Sequence, residues 1–99
     1  QSNIEGELID MIQKSETEFD GIVLNAGGYS HTSVAIADSI SAIKIPVIEV
    51  HISNLLSREP YRHISLIGKN CAGSIMGFGL EGYKLAIQSF VNRKENSNL

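Results

Sequence analysis

Residues 21–51, GIVLNAGGYSHTSVAIADSISAIKIPVIEVH, read as a strand, a turn, a helix and a second strand. After the Asp20-Gly21 turn, Ile22-Val23-Leu24 is a short apolar, largely β-branched run, and Asn25-Ala26-Gly27-Gly28 ends it. From His31 or Thr32 the apolar positions Val34, Ala35, Ile36, Ala37, Ile40 and Ile43 predict a helix with a wide apolar face. Pro46 closes the next turn, and Val47-Ile48-Glu49-Val50-His51 forms a second strand. Strands that alternate with helices imply a parallel sheet covered by helices on both faces.

The flanks extend the same pattern. Upstream, Asn3 followed by Ile4, Leu8, Ile9 and Ile12 predicts a helix capped by Asn3 and fading around Ser15–Glu18. Glu5 and Glu7 suit the positive end of that helix. Downstream come a polar loop from Ser53 to Arg62 with room for a short helical turn, a third strand at Ala72–Phe78, and a last helix at Leu80–Val91. The polar tail Asn92–Leu99 is expected to fray. The fold class is α/β, one domain, with no repeats. Three parallel strands alone would leave two long unpaired edges, which native proteins avoid. Gln1 also stands where an initiator methionine would. The expectation is that part of the sheet lies upstream of Gln1, and that residues 1–99 are the C-terminal portion of a single larger domain.

Composition narrows the function classes. Eleven acids oppose eight bases across 99 residues, and the bases are scattered, so no clustered basic face offers itself to nucleic acid. No run approaches the ~18–20 apolar residues of a membrane-spanning helix, and no basic-then-apolar secretion signal opens the chain. One cysteine, Cys71, excludes an internal disulfide framework and suits a reducing compartment, which points to the cytoplasm.

Ligands of open parallel sheets bind beyond the carboxyl ends of the strands. Glu49 and His51 sit there two residues apart, so they share a face, and a carboxylate beside an imidazole makes a usable general acid or base. A merely solvated histidine is the plainer alternative, but a charged Glu in an apolar strand argues against it. Asn25–Ser33 is a strand-to-helix turn whose glycines and free N–H groups could approach an anion, or an ordinary connection capped by Thr32 or Ser33. Gly77-Phe78-Gly79-Leu80-Glu81-Gly82 matches G-x-G-x-x-G, yet no later strand ending in an acid completes a dinucleotide unit. A tight turn into the last helix is the better reading. Gly68-Lys69-Asn70 likewise lacks the Ser or Thr of a phosphate loop. Ser30, Ser33 and Ser53 lie in no G-x-S-x-G elbow. His63 reads as a surface or loop-packing residue and Cys71 as a small buried one. Glu49 and His51 are too few ligands for a metal.

Taken together, Asn25-Ala26-Gly27-Gly28-Tyr29-Ser30-His31-Thr32-Ser33, Glu49-Val50-His51-Ile52-Ser53-Asn54 and Gly77-Phe78-Gly79 resemble type II 3-dehydroquinate dehydratase of the shikimate pathway, and the resemblance runs the whole chain from Gln1-Ser2-Asn3-Ile4 onward. It implies a flavodoxin-like fold with a five-stranded parallel sheet, of which this chain covers about three strands. It also implies dehydration of 3-dehydroquinate by anti elimination through an enolate, without cofactor or metal, in a cytoplasmic homo-oligomer of trimers assembled into a dodecamer. By that resemblance His51 protonates the departing hydroxyl and Glu49 orients it. Asn25 contacts the substrate near that hydroxyl and its carboxylate. The N–H groups of Ile52 and Ser53, with the Ser53 hydroxyl, hold the carboxylate. His31 and Arg62 bind the ring hydroxyls, and Asp38 reaches the site of a neighbouring subunit. The family's general base is a tyrosine on a mobile lid that has no counterpart here; Tyr29, Tyr61 and Tyr83 lie in other motifs. These 99 residues alone are therefore expected to be inactive. Two alternatives remain open at this point. One is a non-catalytic flavodoxin-like ligand-binding or assembly module. The other, resting on the glycine motif, is a flavin or dinucleotide protein.

Overall fold

In the computed structural model, which describes residues 1–97, the apolar runs do become strands: β1 (Ile22–Leu24), β2 (Val47–His51) and β3 (Gly73–Met76). They form one parallel sheet in the order β1-β2-β3, with Leu24 opposite Glu49, Glu49 opposite Ser74 and His51 opposite Met76. Side-chain alternation divides the core into two. Ile22, Leu24 and Val47 point to one face and pack with Ile12, Ile36, Ile40 and Ile67 beneath α1 (Glu5–Glu18) and α2 (Val34–Ala42). Val23, Ile48, Val50 and Ile75 point to the other and meet Ala86 and Phe90 of α3 (Glu81–Ser97). Helices thus cover both faces. Ile36, Val50 and Ile67 are completely buried, and each such side chain contributes ~1.5–3 kcal/mol. Glu49 and His51 share the face of Val47, so two polar side chains continue an apolar stripe at the carboxyl end of β2.

Several boundaries differ from expectation. Asn3 does not cap α1: Ile4 holds the cap position without a side-chain bond, and the Ser2 hydroxyl accepts from Ile4 N–H and donates to Glu7. Asn3 instead offers its carbonyl to the Tyr29 hydroxyl at 2.8 Å. Ser33 is the cap of α2, accepting from Ile36 N–H at 2.9 Å while donating to Glu5 of α1, so one hydroxyl starts one helix and ties it to the other. α2 accordingly begins at Val34, after a 3₁₀ turn over Gly27–His31. β3 is shorter than Ala72–Phe78, because a further 3₁₀ turn at Gly68–Asn70 precedes it and Gly77, with φ +90°, ends it. α3 runs past Val91 to Ser97, so the polar tail is helical where fraying was expected; Asn98 and Leu99 lie outside the described residues. The Ser53–Arg62 loop holds two 3₁₀ turns, Leu55–Ser57 and Pro60–Arg62.

The glycine motif has a structural account. Gly77 and Gly79 take positive φ at the turn, and a Cβ on Gly82 would stand 3.0 Å from Val50 Cγ1, so glycine lets the first turn of α3 settle on β2. No helix among the described residues is long and apolar enough to cross a membrane.

Candidate active site

β2 delivers Glu49 and His51 side by side, as the spacing predicts. His51 Nε2 lies 3.0 Å from Glu49 Oε2, and the side chains are only 5% and 2% exposed. Glu49 is held further by Ser65 Oγ at 2.7 Å on Oε2 and by Ser74 Oγ, its register neighbour on β3, at 2.6 Å on Oε1. Burial pushes the Glu49 carboxyl up, but the hydrogen bonds from His51, Ser74 and Ser65 and the charge of His51 outweigh it, leaving its pKa below the ordinary 4.5. An ionised carboxylate only accepts, so His51 Nε2 carries a proton and Nδ1 is the nitrogen left to a ligand.

Beyond His51 lies a cleft of about 260 Å³, lined by Asn25, Gly27, His31, His51, Ile52, Ser53, Leu55, Arg58 and Arg62. The expected site residues Asn25, His31, His51, Ile52, Ser53 and Arg62 therefore converge, although they come from three separate segments. The His31 ring stacks on His51 at 6.3 Å between centroids. Its Nδ1 stands 2.8 Å from the Ile64 carbonyl; a carbonyl accepts, so that nitrogen carries a proton. Arg62 is oriented by Glu59, whose Oε2 lies 3.2 Å from its Nε. Asp38 is exposed on α2 and does not line this cleft.

Two participants escape a reading of the sequence. Arg58 donates from Nη1 to Ser53 Oγ at 3.0 Å and brings a second guanidinium to the cleft. Tyr83 accepts from Asn25 Nδ2 at 2.9 Å while Asn25 Oδ1 accepts from Gly27 N–H, which fixes the amide at both ends. Arg58 is one of several charges in a polar loop and Tyr83 is 58 residues from Asn25, so no local pattern singles out either. The tyrosine hydroxyls are engaged elsewhere: Tyr29 with Asn3, Tyr61 with Glu59 and Tyr83 with Asn25. None of the three lines the cleft.

Other candidates fall to ordinary roles. Ser33 caps a helix and Ser53 meets Arg58. Ser30 is buried, with no partner for its hydroxyl among the described residues, and His51 bonds to none of these serines. His63 is exposed and meets the Arg58 carbonyl at 2.9 Å. Cys71 is half-buried, its thiol pushed up to about 11 by burial and then by the charge of Glu49, which keeps it protonated and unreactive. Among the described residues no three His, Cys, Asp or Glu side chains cluster as a metal would require. A larger hollow of about 970 Å³ runs beside β1 and shares Asn25 and Gly27 with the cleft, but carries no acid–base pair.

The site is then a buried imidazole with a carboxylate behind it, facing a cleft that holds two guanidiniums and a second imidazole. Such a set suits an oxygen-rich anionic ligand and can deliver a proton to one of its oxygens.

Comparison with known proteins agrees. The family model of class II dehydroquinase matches residues 1–91. The 3-dehydroquinate dehydratase of Bacillus licheniformis is 55% identical over 92 residues, covering 93% of this chain and 63% of that protein. The enzyme of the same name from Campylobacter jejuni is 54% identical over 91 residues, covering 92% and 57%. The crystal structure of type II dehydroquinase from Butyrivibrio crossotus superposes with a TM-score of 0.89 at 49% identity, over 91% of this chain and 63% of that one. A second, from Propionibacterium acnes, gives 0.88 at 36% identity. The chain spans between 57% and 63% of the length of these relatives. Its three parallel strands with helices on both faces are those of a flavodoxin-like α/β fold. The matched stretch runs through every strand and through the segments that bring Asn25, His31, Glu49 and His51 together, and the chain belongs to the class II dehydroquinase family.

Proposed function

We propose that the protein carrying this chain dehydrates 3-dehydroquinate to 3-dehydroshikimate in the shikimate pathway, with His51 as the general acid. The buried Glu49–His51 pair at the wall of the cleft is the observation that carries this reading. A base takes the proton α to the ketone, giving an enolate. The enolate re-forms the ketone as the bond to the β hydroxyl breaks, and that oxygen leaves as water with the proton donated by His51 Nδ1. Glu49 stabilises the imidazolium before transfer and keeps the proton of the neutral ring on Nε2. Base and acid stand on opposite faces of the ring, so the elimination is anti. Ser53 with the neighbouring N–H of Ile52 receives the substrate carboxylate, and Arg58 adds charge beside it. Asn25 lies near the leaving hydroxyl. His31 and Arg62 bind the remaining hydroxyls.

These residues supply the acid half of the reaction. Because none of the three tyrosines lines the cleft and each hydroxyl is engaged with another residue, we place the base on a segment other than residues 1–97, and the 99-residue chain by itself is inactive. The same reading puts the protein in the cytoplasm as a homo-oligomer of trimers assembled into a dodecamer, with exposed Asp38 entering a neighbour's site. Light scattering of the full-length protein checks the assembly.

The direct test follows the ultraviolet absorbance of the conjugated enone product. Full-length protein turns over 3-dehydroquinate, and His51→Ala lowers kcat by ~10²–10⁴ with the fold retained. A His51→Ala protein as active as the parent would remove the acid from this residue, and an inactive parent would remove the function.

A further inference from the structure

The hydrogen bonds around Glu49 extend beyond the pair that the proposed reaction uses. Ser65 lies on the loop between the second 3₁₀ turn of the cleft wall and the Gly68–Asn70 turn, outside every strand and helix and outside the cleft lining. Its hydroxyl donates to Glu49 Oε2, the same oxygen that takes the His51 Nε2 proton. Its lone pair accepts from Gly68 N–H at 3.0 Å. A hydroxyl has one proton, and a backbone N–H that can only donate forces that proton toward the carboxylate. Ser65 is therefore a directed donor.

The far side of the carboxylate is equally constrained. A Cβ on Gly68 would stand 2.6 Å from Glu49 Oε1, so only glycine at that position leaves the carboxylate its place. Ser74 completes the cage from β3 but is exposed, where water can substitute for it. The carboxylate is thus held by a loop whose Ser65 and Gly68 lie outside the cleft lining.

We propose that Ser65 is a positioning residue for the acid step, acting on His51 through Glu49. This rests on the reading of His51 as the general acid. The Ser65–Gly68 loop holds Glu49 Oε2 in the plane where it accepts from Nε2, and so aims Nδ1 at the leaving oxygen. Without that bond the carboxylate turns about its last torsion and the imidazole turns with it, a displacement that penalises proton transfer more than binding.

The experiment is a double-mutant cycle in the full-length protein, reading kcat and KM separately. Ser65→Ala lowers kcat by about tenfold, the usual weight of a hydrogen bond to a charged group, and changes KM little. Ser65→Thr, which keeps the hydroxyl, restores most of the loss, and Ser74→Ala costs less than Ser65→Ala. In a Glu49→Gln background Ser65→Ala costs almost nothing further, since the bond it removes no longer acts on a carboxylate. An active parent in which Ser65→Ala leaves kcat unchanged, or lowers it equally with and without Glu49, overturns the positioning role alone. A parent without turnover overturns the acid assignment and this inference together. If Ser65→Ala loses the fold, Ser65→Cys takes its place in the cycle, with a γ atom of similar reach and a weak donor. A kcat lowered only when Glu49 is present then supports the positioning role, and an unchanged kcat overturns it.

Discussion

Two glutamates in this chain each gather three donors, ten residues apart, and they do so in opposite surroundings. Glu49 takes its bonds from His51, Ser65 and Ser74 with 2% of its side chain exposed. Glu59 takes its bonds from Tyr61, Arg62 and Arg58 with 46% exposed. Glu59 has the pKa lowered to about 2, by the Tyr61 hydroxyl first, then its own backbone N–H and Arg62. Glu49 is lowered too, but against the opposing pull of burial. A low pKa therefore does not rank the two. Water and salt can replace the partners of Glu59, whereas removing Glu49 leaves the buried His51 imidazole and the half-buried Ser65 hydroxyl without their acceptor.

The largest expected effect follows from that asymmetry. Glu49→Ala breaks a buried pair from one side and should destabilise the full-length protein by ~3–5 kcal/mol, visible as a lower denaturation midpoint. The comparison collapses if Glu59→Ala lowers the midpoint as far. Gly68→Ala probes the cage from the backbone side, since its methyl would meet Glu49 Oε1 at 2.6 Å. The carboxylate or the loop must yield, at ~1–3 kcal/mol. A Gly68→Ala protein as stable and as active as the parent would show that Glu49 has slack to move.

How much of this was legible beforehand depends on sequence distance. β2 was readable to the residue because Val47, Ile48 and Val50 are apolar between a proline and a polar loop, and the two-residue spacing put Glu49 beside His51 without any knowledge of the fold. The convergence of Asn25, His31 and Arg62 on that pair came from family resemblance, since periodicity says nothing about which loops meet. The cage was invisible: Ser65 and Ser74 are two of many serines, 16 and 25 residues from Glu49, and only register and loop path bring them in. The cap of α1 was misread because Ser2 and Asn3 are both good cap types, yet the helix starts one residue later, behind Ile4, with the Ser2 hydroxyl taking the Ile4 N–H. The same holds for α3, whose polar last turns carry on as helix beyond the apolar pattern that was used to end it.

Acid separates the two carboxylates next. Glu49 binds its proton less tightly folded than unfolded, so its contribution is complete above the unfolded value near 4.5 and is lost as the pH falls through its lower folded value. The stability of the parent should fall over that window, and Glu49→Gln, which has no proton to take up, should fall less. Parallel curves for the two proteins would mean that Glu49 is not the group being titrated.

Glu59 should give the smallest response. Glu59→Gln keeps the shape and an acceptor for Tyr61, and the charge it removes stands in water, so the denaturation midpoint should match that of the parent. On the proposed reading its consequence lies in the cleft: Arg62 loses the carboxylate that orients its Nε and samples other rotamers, which weakens substrate binding without touching the proton transfer proposed for His51. KM should rise while kcat stays, and high salt, which screens the exposed cluster and leaves the buried pair alone, should raise the parent's KM toward the variant's. A fall in kcat instead would join the two carboxylates into one catalytic unit, and the exposed one could no longer be treated as a clamp on Arg62 alone.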